Sequence, residues 1–140
     1  MLVLPADVRD AIVTRAREGR PREICGILGG DYEKTGRSYA RSHYPAANVA
    51  DGPRTRYRID PEEQLEVFER LEDRGEEIVG FYHSHPRGPP RPSDTDAANA
   101  TWPDRSYLIV SLEPFEVGSW RWREPGGGDG RFEREEIALE

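Results

Sequence analysis

The chain has 140 residues, and its 20 basic and 27 acidic side chains give a formal net charge of −7. This length suits one domain over residues 1–140, and the acidic excess argues against nucleic acid or an anionic membrane surface as the main partner. The single cysteine, Cys25, excludes an intrachain disulfide and any zinc site built from several cysteines.

The first part of the chain predicts one helix followed by three strands. Residues 5–19 carry an amphipathic helical pattern that a glycine and a proline end. The apolar run at residues 23–30 predicts a buried strand, and its glycines indicate that another backbone or a ligand approaches closely. Further strands are expected at residues 38–47 and 55–59, the second because apolar residues alternate with arginines.

The middle of the chain predicts a second helix and a buried strand. Pro61 is suited to the first helical position, and Gly75 ends the pattern. We expect the buried stripe of this helix to consist of Leu65, Phe68 and Leu71. The next strand is expected at residues 78–85.

The last part of the chain begins with a proline-rich loop at residues 86–92 and a short helix near Ser93. Strands are expected at residues 106–112 and 116–123, and a glycine-rich turn at residues 126–130 precedes a last polar strand. Strands interleaved with helices predict an α/β (α+β) fold, in which helices flank a mixed sheet.

The apolar residues also predict a cytoplasmic protein without a membrane partner. No run approaches the roughly 20 apolar residues that a membrane-spanning helix requires. The first ten residues reach Pro5 and Asp7 too early to form the apolar centre of a signal peptide. The single cysteine also fits an intracellular location.

Two histidines, His83 and His85, lie two residues apart in the predicted strand at 78–85. Alternate residues of a strand point to the same face, about 6.6 Å apart along the chain, so both imidazoles can converge on one zinc ion. Asp96 is placed to supply the third ligand, which leaves a fourth position for water. Isolated histidines are more often structural, and we interpret His43 in this way.

The segment between the histidines and Asp96 is stiff, because four prolines occupy residues 86–92. A stiff loop would hold Asp96 against the histidines, although the prolines alone are equally typical of a rigid surface connection. Ser93-x-x-Asp96 also has a structural interpretation as a capping box at a helix N-terminus. Given the upstream histidines, we favour Asp96 on zinc and the Ser93 hydroxyl directed into the site.

Hydrolysis at zinc also requires a carboxylate that takes a proton from water and delivers it to the leaving amine. Glu23 is the best candidate, because it enters an apolar strand where an unused carboxylate is costly. Its position alone is equally compatible with a surface residue that pairs with Arg22. Cys25 has no evident base beside it and is expected in the core, together with Trp102, Tyr107 and Trp120.

The combined pattern resembles the motif of the JAMM (MPN+) metalloprotease family. This motif consists of Glu, then His-x-His, seven residues and Ser-x-x-Asp, and the chain matches it with Glu23, His83, His85, Ser93 and Asp96. The flanking sequences Glu-Ile-Cys-Gly-Ile-Leu-Gly-Gly and Gly-Phe-Tyr-His-Ser-His-Pro are also typical of the family. The similarity covers about residues 23–112.

The resemblance implies a cytidine-deaminase-like mixed sheet flanked by helices and a stand-alone prokaryotic-type enzyme. It implies zinc on His83, His85 and Asp96, with Glu23 activating water and Ser93 stabilising the oxyanion. Members of the family cleave peptide or isopeptide bonds after the C-terminal glycines of ubiquitin-like proteins. Some bacterial relatives process sulfur-carrier proteins. Such a conjugate is therefore the expected substrate and protein partner.

Three alternative functions compete with hydrolysis of such a conjugate. A non-catalytic MPN-type interaction scaffold would bind partners without hydrolysis, and zinc content and the activity of a His83→Ala variant distinguish it. A nucleoside or base deaminase would need His-x-Glu and Pro-Cys-x-x-Cys, which the chain lacks. A purely structural zinc site would leave no coordination position for water.

Overall fold

A computed structural model of the chain describes residues 1–125 and 129–140. The predicted turn at residues 126–130 lies partly outside the described residues, since 126–128 are not among them. The helices are α1 (Ala6–Gly19), α2 (Pro61–Asp73) and α3 (Asp94–Asn99). The strands are β1 (Leu2–Leu4), β2 (Cys25–Asp31), β3 (Ser38–Ala46), β4 (Glu77–His85), β5 (Ser106–Leu112), β6 (Phe115–Arg123), β7 (Arg131–Glu135) and β8 (Ile137–Leu139).

The strands form one mixed sheet in the order β7-β6-β5-β4-β2-β3-β1-β8. At its centre, β4 pairs antiparallel with β2 and parallel with β5. Helix α1 covers one face of the sheet, and α2 and α3 cover the other. The predicted fold, a mixed sheet flanked by helices, is confirmed. Within residues 1–125 and 129–140, every helix is too short or too polar to cross a membrane.

The central strand β4 contributes side chains to both cores. Tyr82 packs into the core under α1, and Phe81 packs into the core under α2. A shift in the β2–β4 register leaves Val79 without an opposite residue, which is a β-bulge. Because side chains alternate from Phe81 onward, His83 and His85 project from the α2 face.

The glycines of β2 allow close contacts, as the sequence predicts. A Cβ on Gly26 would lie 2.2 Å from the ring of Tyr82. Gly30 has a φ of +151°, and a Cβ there would lie 2.0 Å from the carbonyl oxygen of Tyr39. Among the described residues, the close approach is therefore made by a side chain and by a neighbouring backbone.

A buried ion pair ties the outer strands to the rest of the sheet. Arg121 is 2% exposed, and its Nε donates to Glu135 at 2.9 Å. The hydroxyls of Ser106 and Ser119 donate to the other oxygen of Glu135 at 2.7 and 2.8 Å. These bonds, with burial acting against them, hold the pKa of Glu135 below its usual value.

Three expectations about the elements are wrong or incomplete. Residues 55–59 do not form a strand, because only Ile59 makes a bridge, to Asn48, and the segment folds as a loop. Leu65 is 59% exposed, since the sheet-facing side of α2 is set by Val67 and Leu71, about 200° away around the helix. Strand β1 is absent from the prediction because three residues are too few to show a period.

Candidate metal centre

The structure brings the paired histidines and Asp96 to one point. The Nε2 atoms of His83 and His85 and Oδ2 of Asp96 lie 3.2 Å from one another. With Glu23, they form a buried group whose ligand atoms all lie within 4.8 Å of one another. Two imidazoles and two carboxylates at this spacing fit a metal ion, because zinc takes histidine nitrogens and carboxylate oxygens as ligands at about 2.0–2.2 Å.

The proline-rich loop orients one of the two histidines. The Nδ1–H of His85 donates to the carbonyl of Pro89 at 2.9 Å. With the proton on Nδ1, Nε2 keeps its lone pair and faces the cluster, as a ligand nitrogen must. Trp120 donates to the carbonyl of Pro90 at 2.9 Å, and Ser111 donates to the carbonyl of Gly88, so strands β5 and β6 hold the loop.

Asp96 has both of the structural roles that its sequence context allows. Its Oδ2 accepts from the backbone N–H of Ser93 at 2.9 Å and also lies against both histidines. Ser93 Oγ in turn accepts from the N–H of Asp96 at 3.0 Å, which completes a capping box at the start of α3. The cap therefore presents the carboxylate to the cluster, and the two interpretations are compatible.

Glu23 lies just before β2, and its backbone is held by the loop at 47–60. Its N–H donates to the carbonyl of Pro53 at 2.7 Å, and its carbonyl accepts from Asn48 at 3.0 Å. Its side chain is only 5% exposed, so the alternative of a surface pair with Arg22 is wrong. Within the described residues, Glu23 Oε1 has no hydrogen-bond partner, as expected of a carboxylate aimed at an ion or a substrate.

The pairing of β2 with β4 is what brings Glu23 to the histidines. Cys25 stands opposite His83 in the sheet. Ser84, between the two histidines, accepts the N–H of Ile24 on Oγ at 2.9 Å, and its own N–H donates to the carbonyl of Ile24 at 3.0 Å. Ser84 therefore holds the residue next to Glu23, a role that spacing alone does not indicate.

The charges in the cluster are strongly coupled. Burial raises the pKa of Glu23 to about 8, against the effect of His85, while Asp96 raises it further. Burial lowers the pKa of His83. Burial would also lower the pKa of His85, but hydrogen bonds with Asp96 and the Pro89 carbonyl raise it overall.

Asp96 carries the negative charge of the group. Burial alone would raise its pKa, but hydrogen bonds with His83 and His85 lower it well below its ordinary range. Asp96 is therefore ionised and Glu23 is protonated at neutral pH without a metal. A bound cation would favour the ionised form of both carboxylates.

Tyr57 belongs to the site, although its sequence context suggests only a half-buried strand. Its ring stacks on His83 with centroids 4.3 Å apart and planes inclined by 21°. The stack covers one face of the imidazole, and Tyr57 also lines a second cleft, together with Ile59 and Phe81. The loop at 47–60 brings Tyr57 there, and no local pattern could have identified it.

A different cleft opens onto the cluster. It has a volume of about 810 Å³ and is lined by Glu23, His85 and Ser93 together with prolines and arginines. Ser93 is exposed in this cleft. The arrangement can hold an ion, a proton-transferring carboxylate and a hydroxyl around one substrate bond.

The other chemically notable residues are not part of the candidate metal-binding group. Cys25 is fully buried, and burial raises the pKa of its thiol to about 12, as expected of a core residue. His43 stands opposite Leu28 on the β2–β3 ladder. Tyr107 is buried, whereas Trp102 and Trp120 are only half-buried.

A mixed sheet carrying a buried His, His, Asp and Glu group beside an open cleft is the arrangement of a metal-dependent hydrolase. The sequence profile described as "Prokaryotic homologs of the JAB domain" matches residues 5–123. The chain belongs to this prokaryotic JAB family.

Individual relatives agree with this assignment. A desampylase of Haloferax volcanii is 47% identical over 114 residues, which cover 79% of this chain and 80% of the relative. A CysO-cysteine peptidase of Mycobacterium tuberculosis is 41% identical over 111 residues, covering 79% of this chain and 73% of the relative. The solution structure of a Desulfitobacterium hafniense protein superposes with a TM-score of 0.82 at 33% identity, covering 100% of this chain and 93% of that one.

Proposed function

We propose that this chain is a zinc-dependent hydrolase that cleaves a peptide or isopeptide bond after the C-terminal glycines of a ubiquitin-like or sulfur-carrier protein conjugate. The observation that carries the proposal is the buried group of Glu23, His83, His85 and Asp96, with ligand atoms within 4.8 Å of one another. The relatives support the substrate class, because they are hydrolases of such conjugates.

The donor set favours zinc among the common divalent ions. Two imidazole nitrogens and one carboxylate oxygen suit Zn²⁺, whereas Mg²⁺ and Ca²⁺ prefer oxygen ligands. Ligand atoms of a tetrahedral zinc with ordinary bond lengths are about 3.3 Å apart, close to the 3.2 Å between the atoms of His83, His85 and Asp96. His83, His85 and Asp96 would hold the zinc ion, which would supply a Lewis acid and a bound water of lowered pKa.

Glu23 is assigned the proton transfers. Its unpartnered Oε1 lies within the cluster and beside the cleft, so it can take the proton of the attacking water. The same carboxyl group then delivers that proton to the leaving amine, which departs as a neutral product. This role requires the ionised form at the start of each turnover, and the adjacent cation favours that form.

Ser93 is assigned to the oxygen of the scissile carbonyl. Its Oγ accepts the N–H of Asp96, so the hydroxyl hydrogen remains available for donation into the cleft. A donor aimed at the oxygen where negative charge develops stabilises the transition state more than the ground state. The capping box sets the position of this hydroxyl, because it binds both ends of the Ser93–Asp96 pair.

The proposal is tested with purified protein and three variants. The wild type is loaded with zinc, its metal content is measured, and conjugates of a ubiquitin-like and a sulfur-carrier protein are offered with and without a chelator. Products are identified by mass. We expect Glu23→Gln to keep zinc and lose hydrolysis, and His83→Ala to lose both. His43→Ala is the matched control, a histidine outside the cluster, and should keep both.

Each result bears on a different part of the proposal. Wild-type turnover by Glu23→Gln would contradict the assignment of the base. A wild-type protein that binds no zinc would contradict the metal centre. Zinc binding without cleavage of either conjugate would instead favour the non-catalytic scaffold.

The proposal also includes one domain over residues 1–140 and a cytoplasmic location. The first is supported by the pairing of β1 with β8, which joins the two ends of the chain in one sheet. The second is supported by the single cysteine, which is buried and unpaired in the structure.

A further inference from the structure

The cleft that opens onto the candidate metal centre is basic, although the chain as a whole is acidic. Its lining includes three arginines, Arg54, Arg87 and Arg91, and one carboxylate, Glu23. The net charge of the whole chain is −7. Positive charge is therefore concentrated at a cleft that leads to the candidate metal centre, and a cleft focuses such a field.

Two of the arginines lie close in the chain to residues that contact or belong to the reacting groups. Arg54 follows Pro53, whose carbonyl accepts the backbone N–H of Glu23 at 2.7 Å. Arg91 lies two residues before Ser93 on the stiff proline-rich loop. Both arginines line the same cleft as Glu23 and Ser93, so a substrate in that cleft meets both side chains.

Among the residues that the structure describes, two of these guanidinium groups have no carboxylate of their own. Arg87 lies 3.5 Å from Glu113, an exposed pair. Within residues 1–125 and 129–140, neither Arg54 nor Arg91 has a carboxylate oxygen within 4.0 Å, and both side chains are exposed. By contrast, Arg121 and Arg123 are each bound to carboxylates. Exposed arginines can form paired hydrogen bonds with a carboxylate that enters the cleft.

We propose that Arg54 and Arg91 form a carboxylate-binding subsite that selects substrates bearing a negative charge next to the scissile bond. Two parts of a substrate could supply this carboxylate. One is the leaving group, when it is an α-amino acid with a free carboxylate. The other is the tail of the carrier protein, when acidic side chains precede its glycines. This inference rests on the proposed hydrolytic function and adds the charge of the substrate to it.

The experiment uses four conjugates of one ubiquitin-like carrier protein ending in Gly-Gly-Ala. The terminal alanine carries either a free carboxylate or a carboxamide. In each case the acidic residues of the carrier tail are either kept or replaced by their amides. The enzymes are the zinc-loaded wild type, Arg54→Gln, Arg91→Gln and the double variant. Arg37→Gln is the control, because Arg37 is exposed and lies outside this cleft.

We expect the wild type to prefer a carboxylate-bearing conjugate over its amide by about three- to ten-fold in kcat/KM. The preference should decrease as ionic strength rises, since the arginines are exposed. The double variant should lose it, and Arg37→Gln should keep it. If kcat/KM depends on the alanine carboxylate, the leaving group supplies the recognised carboxylate. If kcat/KM depends on the acidic residues of the tail, the carrier protein supplies it.

Equal rates on all four conjugates would overturn the inference while leaving the proposed function intact. A preference that survives in the double variant would also overturn it. If the wild type cleaves none of the conjugates, the proposed function fails separately. The subsite is then judged by calorimetric titration of Glu23→Gln, with and without the two arginine changes, against the same four conjugates. Binding that does not distinguish carboxylate from amide would end the proposal.

Discussion

Glu23→Gln should change the pH dependence of stability in the metal-free protein. Burial raises the pKa of Glu23 from 4.5 to about 8, so the folded state holds a proton that the unfolded state loses between these pH values. Unfolding is then favoured as pH rises, by at most about 1.4 kcal/mol per pH unit. The full shift corresponds to about 5 kcal/mol, and we expect about 2–4 kcal/mol because the residue borders an open cleft that water enters.

Because Gln cannot ionise, the variant does not lose stability through this group as the pH rises. The free energy of unfolding of both proteins is measured by urea titration with a chelator at pH 5, 6, 7, 8 and 9. The advantage of Glu23→Gln should be small at pH 5 and should reach its maximum near pH 9. With zinc present, the difference should shrink, because the cation favours the carboxylate. If the difference in the free energy of unfolding between the two metal-free proteins does not change with pH, Glu23 ionises normally and burial does not raise its pKa.

Three further predictions concern the residues around the site and the outer strands. Ser93→Ala should lower kcat by about 100-fold with zinc content unchanged. It should also reduce the free energy of unfolding by about 1 kcal/mol, because the helix cap is lost. A normal kcat would remove Ser93 from the mechanism. Tyr57→Ala should weaken zinc binding by about ten-fold, measured in competition with a chromophoric chelator. Tyr57→Phe keeps the stacked ring and should not weaken it. Equal effects of the two variants would assign the loss to the hydroxyl. Arg121→Met should destabilise the protein by about 3–5 kcal/mol in urea, because it removes the buried guanidinium group and leaves only the N-terminal amine to pair with the charge of Glu135. Changing both Arg121 and Glu135 to Met should cost less, and additive losses would contradict a coupled pair.

The local parts of the candidate site could be predicted from the sequence. The spacing of His83 and His85 places both on one face of a strand, because alternation is a property of the strand itself. The capping box of Ser93 and Asp96 is likewise a relation between residues three apart. The buried strands and the helices at Ala6–Gly19 and Pro61–Asp73 also follow from local periodicity.

The tertiary structure decided what separate segments do together. Glu23 is 60 residues from His83 in the chain, and only the pairing of Cys25 with His83 brings it to the cluster. The sequence leaves Glu23 equally compatible with a surface pair, whereas the loop around Pro53 buries it. Residues 55–59 alternate as a strand would, yet they form a loop that stacks Tyr57 on a histidine.

The basic cleft is also a feature that the tertiary structure decided and the sequence did not indicate. Arg54 and Arg91 look like ordinary solvent-exposed arginines in a chain with 20 basic residues, and nothing in their neighbours distinguishes them. They line one cleft because two loops distant in sequence meet at the end of β4. The sequence by itself therefore determined the residues that can bind a metal, since their geometry is local. Only folding decided that Glu23 is buried beside the histidines, that Tyr57 stacks on His83 and that arginines line the cleft, because these depend on contacts between segments that local periodicity does not connect.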